Sequence, residues 1–451
     1  MLVPGKTNVL VCQNGILKGK VMSMTRTVRI VAVCVAVIVC MSLCVWAQTK
    51  IEVWVGHDSW VPYLLHFNEI QDEYEIEYLI QGSTDALLAA VAAGTPPDVF
   101  RTGPMLDLAA RGVLMPLDPF IQRDAVDLAP FIPGILRSLQ WDGTTYALPL
   151  NGDSNLVFYN QDKFEEAGLD AAWVPQDWAD LEAAARRLNR TDGEGLLQQL
   201  GFSWWAKSVQ FTLFLHQTLD GIFTPDLSDI AFDTRETFDV INWIVDSQNA
   251  INGGQARVEE LFERFGGGSS HDAFVGGGLV MDTSAPAQIA RTVTEAPDMR
   301  FGVFPLPVAP GGRRVSLSGG HRVTIPVGAK NPEGAWAFIK WLTSKEAGLE
   351  FAEPGFTQRY IDRAYQGIGQ SMSARIDVNL EAPFYRDTPL WRDFAQDMVY
   401  AIEHPIHPLH PEIITILQDN TLRVLHQEIS PGESLELSAH EARSRLAEWA
   451  Q

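Results

Sequence analysis

Apolar residues along this chain fall into short runs separated by stretches of helical spacing, and that alternation predicts the architecture. Ile51–Val55 (IEVWV) reads as a strand, Gly56–Ser59 as a loop, and Val61–Glu73 as a helix with Leu64, Leu65 and Phe67 apolar. Ile76–Ile80 is a second strand. Ser83 or Thr84 caps a helix with Leu87, Leu88 and Val91 on one face, and Gly94-Thr95-Pro96-Pro97 stops it. Asp98-Val99-Phe100 is a third apolar run, and the helical stretch Met105–Ala110 ends at Gly112. Strands and helices in turn imply an open, largely parallel α/β sheet. Ligands bind such sheets beyond the carboxyl ends of the strands, here at loops 56–59 and 101–104.

The pattern is densest at Tyr146–Leu169. Two apolar runs, Tyr146–Leu150 and Leu156–Tyr159, flank the polar cluster Asn151–Ser154, and a helix begins near Gln161 with Gly168 at its stop. Two short strands joined by four polar residues describe a hairpin or a crossing between two domains. Beyond it, Asp177 caps a helix to Leu188, Gly201–Trp205 is a strand running into a loop, and Phe232–Val245 is a strand end and helix. Leu279–Met281, Phe301–Pro307 and Val323–Pro326 are strands; Glu333–Thr343, Leu417–Leu425 and Leu435–Trp449 are helices. No internal repeat or low-complexity linker interrupts them.

Composition adds limits. At 451 residues the chain exceeds one ordinary core and predicts two or three domains. The net charge is −22, and residues 1–47 contain Lys6, Lys18, Lys20, Arg26 and Arg29 but no acidic residue, so the remainder is more acidic still. Such a surface repels phosphate backbones and anionic headgroups, which argues against nucleic-acid and peripheral membrane binding. All four cysteines, Cys12, Cys34, Cys40 and Cys44, precede residue 48, which excludes disulfides, thiol catalysis and cysteine-ligated metal after it. Basic residues, then the apolar or small-residue run Ile30–Ala47, have the order of a secretory signal cleaved after Ala47; an uncleaved anchor is the alternative. Lipidation at Cys44 is disfavoured by Leu43 before it, and translation starting at Met22 or Met24 gives a more ordinary signal. The functional part is expected outside the cytoplasm, periplasmic, secreted or tethered.

The order of landmarks resembles the family 1 extracellular solute-binding proteins of ABC importers, the maltose-binding-protein-like carbohydrate type. The residues that carry the resemblance are AAGTPPDVFRTGPMLDLAARGVLMPLDPFI (92–121), YALPLNGDSNLVFYNQDKFEEAGL (146–169) with VPQDWADLEAAARRL (174–188), FVGGGLVMDTSA, FGVFPLPVAPGG, and GGHRVTIPVGAKNPEGAWAFIKWLTSKEAG. These blocks cover most of residues 50–350; residues 350–410 match loosely. The helix start here is Asp177-Trp178-Ala179-Asp180, which keeps a cap but weakens the reciprocal capping box. The resemblance implies a two-lobe periplasmic-binding-protein fold of class II, with several chain crossings at the hinge. They are expected near Asn151–Ser154, Gly319-Gly320 and Ala364–Gly367. The lobes then comprise residues 48–152 with 320–366, and 153–319 with 367–451.

A sugar presents apolar faces and a rim of hydroxyls, so its site needs aromatic faces and short polar or charged side chains. Candidate contacts fall where strands end: Asp58 and Trp60 after the first, Arg101 after the third, Asp153 in the first crossing, Trp204 and Trp205 in the second lobe, and Ser284 after Leu279–Met281. Gly319 and Gly320 permit close backbone approach. Arg359 follows Pro354-Gly355-Phe356, a loose match to a family ligand loop. Each has a plainer reading: Asp58 and Ser59 as helix caps, the tryptophans as core or surface aromatics, Arg101 paired to a surface carboxylate, Asp153 as a turn residue.

His404, His407 and His410 alternate with prolines and would share one face of a polyproline II helix, but no carboxylate or cysteine completes a metal set. The Gly-Gly-Gly runs lack a phosphate-loop context, and no G-x-S-x-G or H-E-x-x-H occurs. The expectation is a monomeric binding protein with no cofactor, metal or catalytic residue, serving the permease subunits of an ABC importer. The competing readings are an extracellular carbohydrate-active hydrolase, or the same fold taking a polyamine, a phosphorylated polyol or a metal chelate.

Overall fold

The computed structural model describes residues 48–450 except 103–104, 171, 267–268, 361–370 and 404–405. The expected signal segment, the crossing at 364–367 and His404 therefore lie outside the described residues. Residues 49–451 form one compact unit. No helix among the described residues is long and apolar enough to cross a membrane.

Ten strands build two five-stranded sheets. In chain order they are β1 (Thr49–Val55), β2 (Tyr74–Ile80), β3 (Val99–Thr102), β4 (Leu148–Pro149), β5 (Leu156–Asn160), β6 (Arg190–Thr191), β7 (Leu197–Phe202), β8 (Leu279–Ser284), β9 (Phe301–Pro305) and β10 (Arg322–Thr324). The first sheet runs β2-β1-β3-β10-β4 and the second β9-β5-β8-β7-β6. Each sheet is layered with helices, giving an α/β fold of two lobes.

In β1 the period of two is clean: Ile51, Val53 and Val55 are buried, while Lys50 and Glu52 are exposed. β1 pairs in parallel with β2 along its whole length, Thr49 opposite Tyr74 through Val55 opposite Ile80, and with β3. The helix between them is shorter than its apolar pattern suggests, ending at Ile70 rather than Glu73. Gln71 stops it: its Oε1 accepts the N–H groups of Glu73 and Tyr74 at 2.8 and 2.7 Å, and its Nε2 donates to the carbonyl of Phe67. Ser83 caps the next helix, Thr84–Ala92, by accepting the N–H of Ala86, and Leu87 is its buried anchor.

Neither sheet is purely parallel. β10 runs antiparallel to both β3 and β4, and β5 runs antiparallel to both β8 and β9. β10 enters the first sheet from a strand of the second, not through a helical crossover within its own sheet, so the rule that makes such crossovers parallel does not apply. β5 is buried along its whole length, which explains its unbroken run Leu-Val-Phe-Tyr.

The chain leaves the first sheet at β4, which ends at Pro149, and joins the second at β5, which begins at Leu156. It returns between Pro305 of β9 and Arg322 of β10. Asn151–Ser154 is thus a crossing between sheets and not a hairpin tip. Phe131, Ile132 and Ile135 precede this crossing yet share a hydrophobic cluster with Leu156 and Phe158 of β5 and with Phe394. Trp60, Tyr63, Leu148, Val323 and Trp336 belong to the cluster of the first sheet.

Candidate functional site

The two crossings lie side by side and are tied by short-range hydrogen bonds. Asn151 and Gly152 pair antiparallel with Ser373 and Met372. Asp153 N–H donates to Ser318 Oγ at 3.1 Å, Asn155 N–H to Ser316 Oγ at 2.6 Å, and His321 N–H to Asn151 Oδ1 at 2.8 Å. Gly320 packs against this seam so closely that a Cβ would sit 2.1 Å from the carbonyl oxygen of Asn151. Its lack of a side chain is required by chain against chain. A Cβ at Gly319 would meet nothing within 4 Å.

Asp153 is the acidic group of this seam. Burial pushes its carboxyl up to about 6, opposed by a hydrogen bond to Ser371. Burial, with the charge of Asp153 adding to it, holds the Tyr385 phenol above the usual tyrosine range, and burial does the same to Tyr63, with Tyr385 adding to it. Tyr63, Asn151, Ser371, Ser373 and Tyr385 line a cavity of about 30 Å³, room for a water or two. Tyr385 donates its O–H to the carbonyl of Ser371 at 3.1 Å, and Tyr63 stands edge-on to Phe351 at 4.5 Å. Asn151 belongs to the polar cluster that marks the first crossing in the sequence, but none of Tyr63, Ser371 or Tyr385 stands out there, because nothing local marks a tyrosine or serine that tertiary packing carries to a hinge.

A second group gathers at the ends of β1, β3 and β10. Trp60 is only 1% exposed and packs edge-on to Tyr63 and His321, with ring centroids 6.0 and 5.6 Å away. The expected open stacking surface is thus enclosed in the core of the first sheet. Arg101 lies with Cζ 6.0 Å from the Trp60 ring. The cap of the short turn Asp58–Trp60 is His57, whose Nδ1 takes the N–H of Ser59 at 3.2 Å; neither Asp58 nor Ser59 caps it. Asp58 keeps a part-exposed carboxylate, 2.9 Å from His57 Nδ1. Burial, with Arg101, Arg322 and His57 nearby, depresses His321 to about 3, and burial with Arg101 lowers Arg322 to about 10.

The other predicted residues are dispersed. Trp204 is fully enclosed, edge-on to Phe202 and Trp243. Trp205 retains 9% exposure beside Phe211. Ser284 ends β8 opposite Leu156, the first residue of β5, and so lies next to the first crossing. Arg359 is exposed and engaged by Glu350 and Glu353 of its own segment. Sequence reasoning passed over Lys207, whose Nζ holds the fully buried carboxylate of Asp282 at 3.0 Å and the carbonyl of Thr283 at 3.1 Å.

His407 is buried in aromatic packing, stacked on Phe223 at 4.8 Å and edge-on to Trp449 at 4.7 Å, and its Nδ1 accepts the N–H of Leu409. His410 begins the helix His410–Leu425. The polyproline face is therefore not formed at these two residues. Among the described residues His271, Asp272 and Glu295 bring donor atoms within 4.8 Å of one another, but Arg291 already stands 3.4 Å from Glu295 and 4.0 Å from Asp272.

A family described as "Bacterial extracellular solute-binding protein" matches residues 60–349. A binding protein of Brucella abortus is 24% identical over 269 residues, 59% of this chain and 63% of that protein. The sn-glycerol-3-phosphate-binding periplasmic protein of Brucella abortus is 31% identical over 158 residues, 32% of this chain and 36% of that one. The chain thus spans less than two thirds of the length of these curated relatives. Among solved structures, the ABC transporter solute-binding protein of Thermotoga lettingae bound with alpha-D-tagatose superposes with a TM-score of 0.66 at 22% identity, over 88% of this chain and 100% of the other. The cyclic alpha-maltosyl-1,6-maltose binding protein of Arthrobacter globiformis gives 0.72 at 17% identity, over 89% of this chain and 100% of the other.

Proposed function

Because the chain belongs to the bacterial extracellular solute-binding protein family, we propose that it captures a sugar or oligosaccharide between its two lobes and presents it to the membrane subunits of an ABC importer. The observation that carries this reading is the grouping of Asp153 with Tyr63, Ser371 and Tyr385 where the crossings meet. A carboxylate, a hydroxyl and two phenols beside aromatic edges make the donor and acceptor set that a hydroxyl rim needs. The sugars bound by the Thermotoga and Arthrobacter proteins, which share the fold, support the choice of ligand class.

The energetics are ordinary. A micromolar dissociation constant corresponds to about −8 kcal/mol. Hydrogen bonds to charged groups contribute about 1.5–3 kcal/mol each and aromatic contacts about 0.5–1.5. Three or four of the first and two of the second suffice after ordering costs. The lobes we assign are residues 48–152 with 320–366, and 153–319 with 367–451. Ligand contacts on both favour the closed arrangement, which the permease subunits then recognise. We assign the protein as a monomer that binds without turnover.

A thermal-shift screen against mono- and disaccharides tests the reading. Ligand at about 100 times its dissociation constant adds about 2.7 kcal/mol of stability. Absence of any shift across the panel overturns the ligand class, and cleavage of an oligosaccharide by the purified protein overturns binding without turnover.

A further inference from the structure

Arg101 is the penultimate residue of β3, near its carboxyl end, the side on which open α/β sheets take ligands. Its guanidinium is partly buried, with Cζ 6.0 Å from the Trp60 ring and Nη1 3.2 Å from the place a Cβ would take on Gly56. Its Nε is closed to solvent and has no hydrogen-bond partner, and no carboxylate among the described residues pairs with it. That is unusual in a chain of net charge −22. Arg123, Arg300, Arg314 and Arg375 each hold a carboxylate at 2.8 Å or less.

Among the described residues the surroundings do not supply the missing negative charge. His321, edge-on to Trp60, and Arg322, donating to the carbonyl of Gly320 at 3.1 Å, both feel Arg101 as a like charge. Asp58, in the neighbouring loop, stands 2.9 Å from His57 Nδ1, which already accepts the N–H of Ser59, and makes no ion pair with Arg101. A desolvated cation without a counter-charge is costly to the unliganded protein, and the cost is relieved when an anion arrives. The guanidinium presents a planar fork that matches a carboxylate or phosphate with two parallel bonds, whereas a hydroxyl uses one.

We propose that the sugar this protein takes is acidic, bearing a carboxylate or a phosphate ester, and that Arg101 beside Trp60 and His321 forms the subsite for that anionic group. This rests on the sugar-receptor reading above and names the substrate class within it.

Titration calorimetry of the whole chain with matched pairs tests it: glucose against glucuronate and glucose 6-phosphate, the galactose and mannose counterparts, and a neutral disaccharide against its uronic acid form. One acidic series is expected to bind about 10- to 100-fold tighter than its neutral partner. Whether the uronates or the phosphate esters lead identifies the anion. Added salt is expected to erode that preference, Arg101→Gln to abolish it, and Arg101→Lys to restore it in part. Neutral sugars binding as tightly as acidic ones to the unaltered protein overturn the proposal, as does an acid preference that survives in Arg101→Gln. Should the variant fail to fold, the matched pairs and their salt dependence still decide. Failure of every sugar, acidic or neutral, refutes the sugar-receptor reading itself.

Discussion

His321 donates its backbone N–H to Oδ1 of Asn151 at 2.8 Å, joining the two chain crossings over a sequence separation of 170. The bond is partly buried, and Gly320 beside it leaves no room for a methyl group against the Asn151 carbonyl. Asn151→Ala strands that N–H and is expected to cost about 1–3 kcal/mol. Asn151→Asp, which keeps the acceptor, costs less. Gly320→Ala forces the crossings apart at a similar cost, about 1–3 kcal/mol. Urea unfolding midpoints measure all three, and an unchanged midpoint for Gly320→Ala refutes the close approach.

Asp153 predicts a trade between stability and binding. Its carboxyl titrates at about 6 in the folded protein, above the ordinary 3.8. Between those values the folded state keeps a proton that the unfolded state has released, so the contribution of Asp153 to stability falls as pH rises from about 4 to about 6 and stays reduced above, against the opposite contribution of the buried histidines. A shift of that size corresponds to on the order of 3 kcal/mol. Asp153→Asn is expected to flatten this slope, raise the melting temperature at neutral pH and weaken sugar binding at least about tenfold. A variant that is less stable than the parent at pH 7 contradicts the desolvation argument.

What the sequence disclosed followed from short-range physics. The alternation of Ile51, Val53 and Val55, the cap at Ser83 and the polar interruption Asn151–Ser154 all act within a few residues, so each is visible in a local window. Long-range consequences were hidden. Tyr63 and Tyr385 come from distant parts of the chain to line one cavity, Tyr385 close enough to feel the charge of Asp153, and the partner that makes Gly320 necessary is Asn151. Trp60 illustrates the ambiguity best: a tryptophan one turn beyond a strand looks the same whether it faces a ligand or, as here, the core. The reversed direction of β10 could not be read from its three residues, because it depends on which sheet the chain has just left.

Lys207, itself partly exposed, holds the fully buried carboxylate of Asp282, which has no solvent to fall back on. Lys207→Ala leaves that charge uncompensated and is expected to destabilise by about 3–5 kcal/mol. The double variant Lys207→Met with Asp282→Leu removes both charges and is expected to recover most of the loss. Guanidinium titrations of the single and double variants check this, and a double variant no better than Lys207→Ala alone would show that packing, not charge, holds the site.

His407 gives the opposite pH signature to Asp153. Burial among Phe223, Trp141 and Trp449 lowers it to about 4, below the ordinary 6.5. The unfolded chain therefore takes up the proton first: the stability is present in full above about 6.5 and is lost as pH falls toward 4, on the order of 3 kcal/mol in all. In an Asp153→Asn background the acid slope between about pH 6.5 and 4 comes chiefly from His407 together with His321, which titrates lower still at about 3, and carboxylates held low by their partners, such as Asp124 beside Arg123 and Lys340, add to it at lower pH. His407→Gln is expected to reduce that slope between pH 6.5 and 4 by about half, His321 supplying the rest, and to leave the part below it. Because Nδ1 of His407 is already engaged by the N–H of Leu409 and its ring is stacked, zinc is expected to leave the melting temperature unchanged. A zinc-dependent rise that vanishes in His407→Gln would instead restore the histidine and proline run as a metal site.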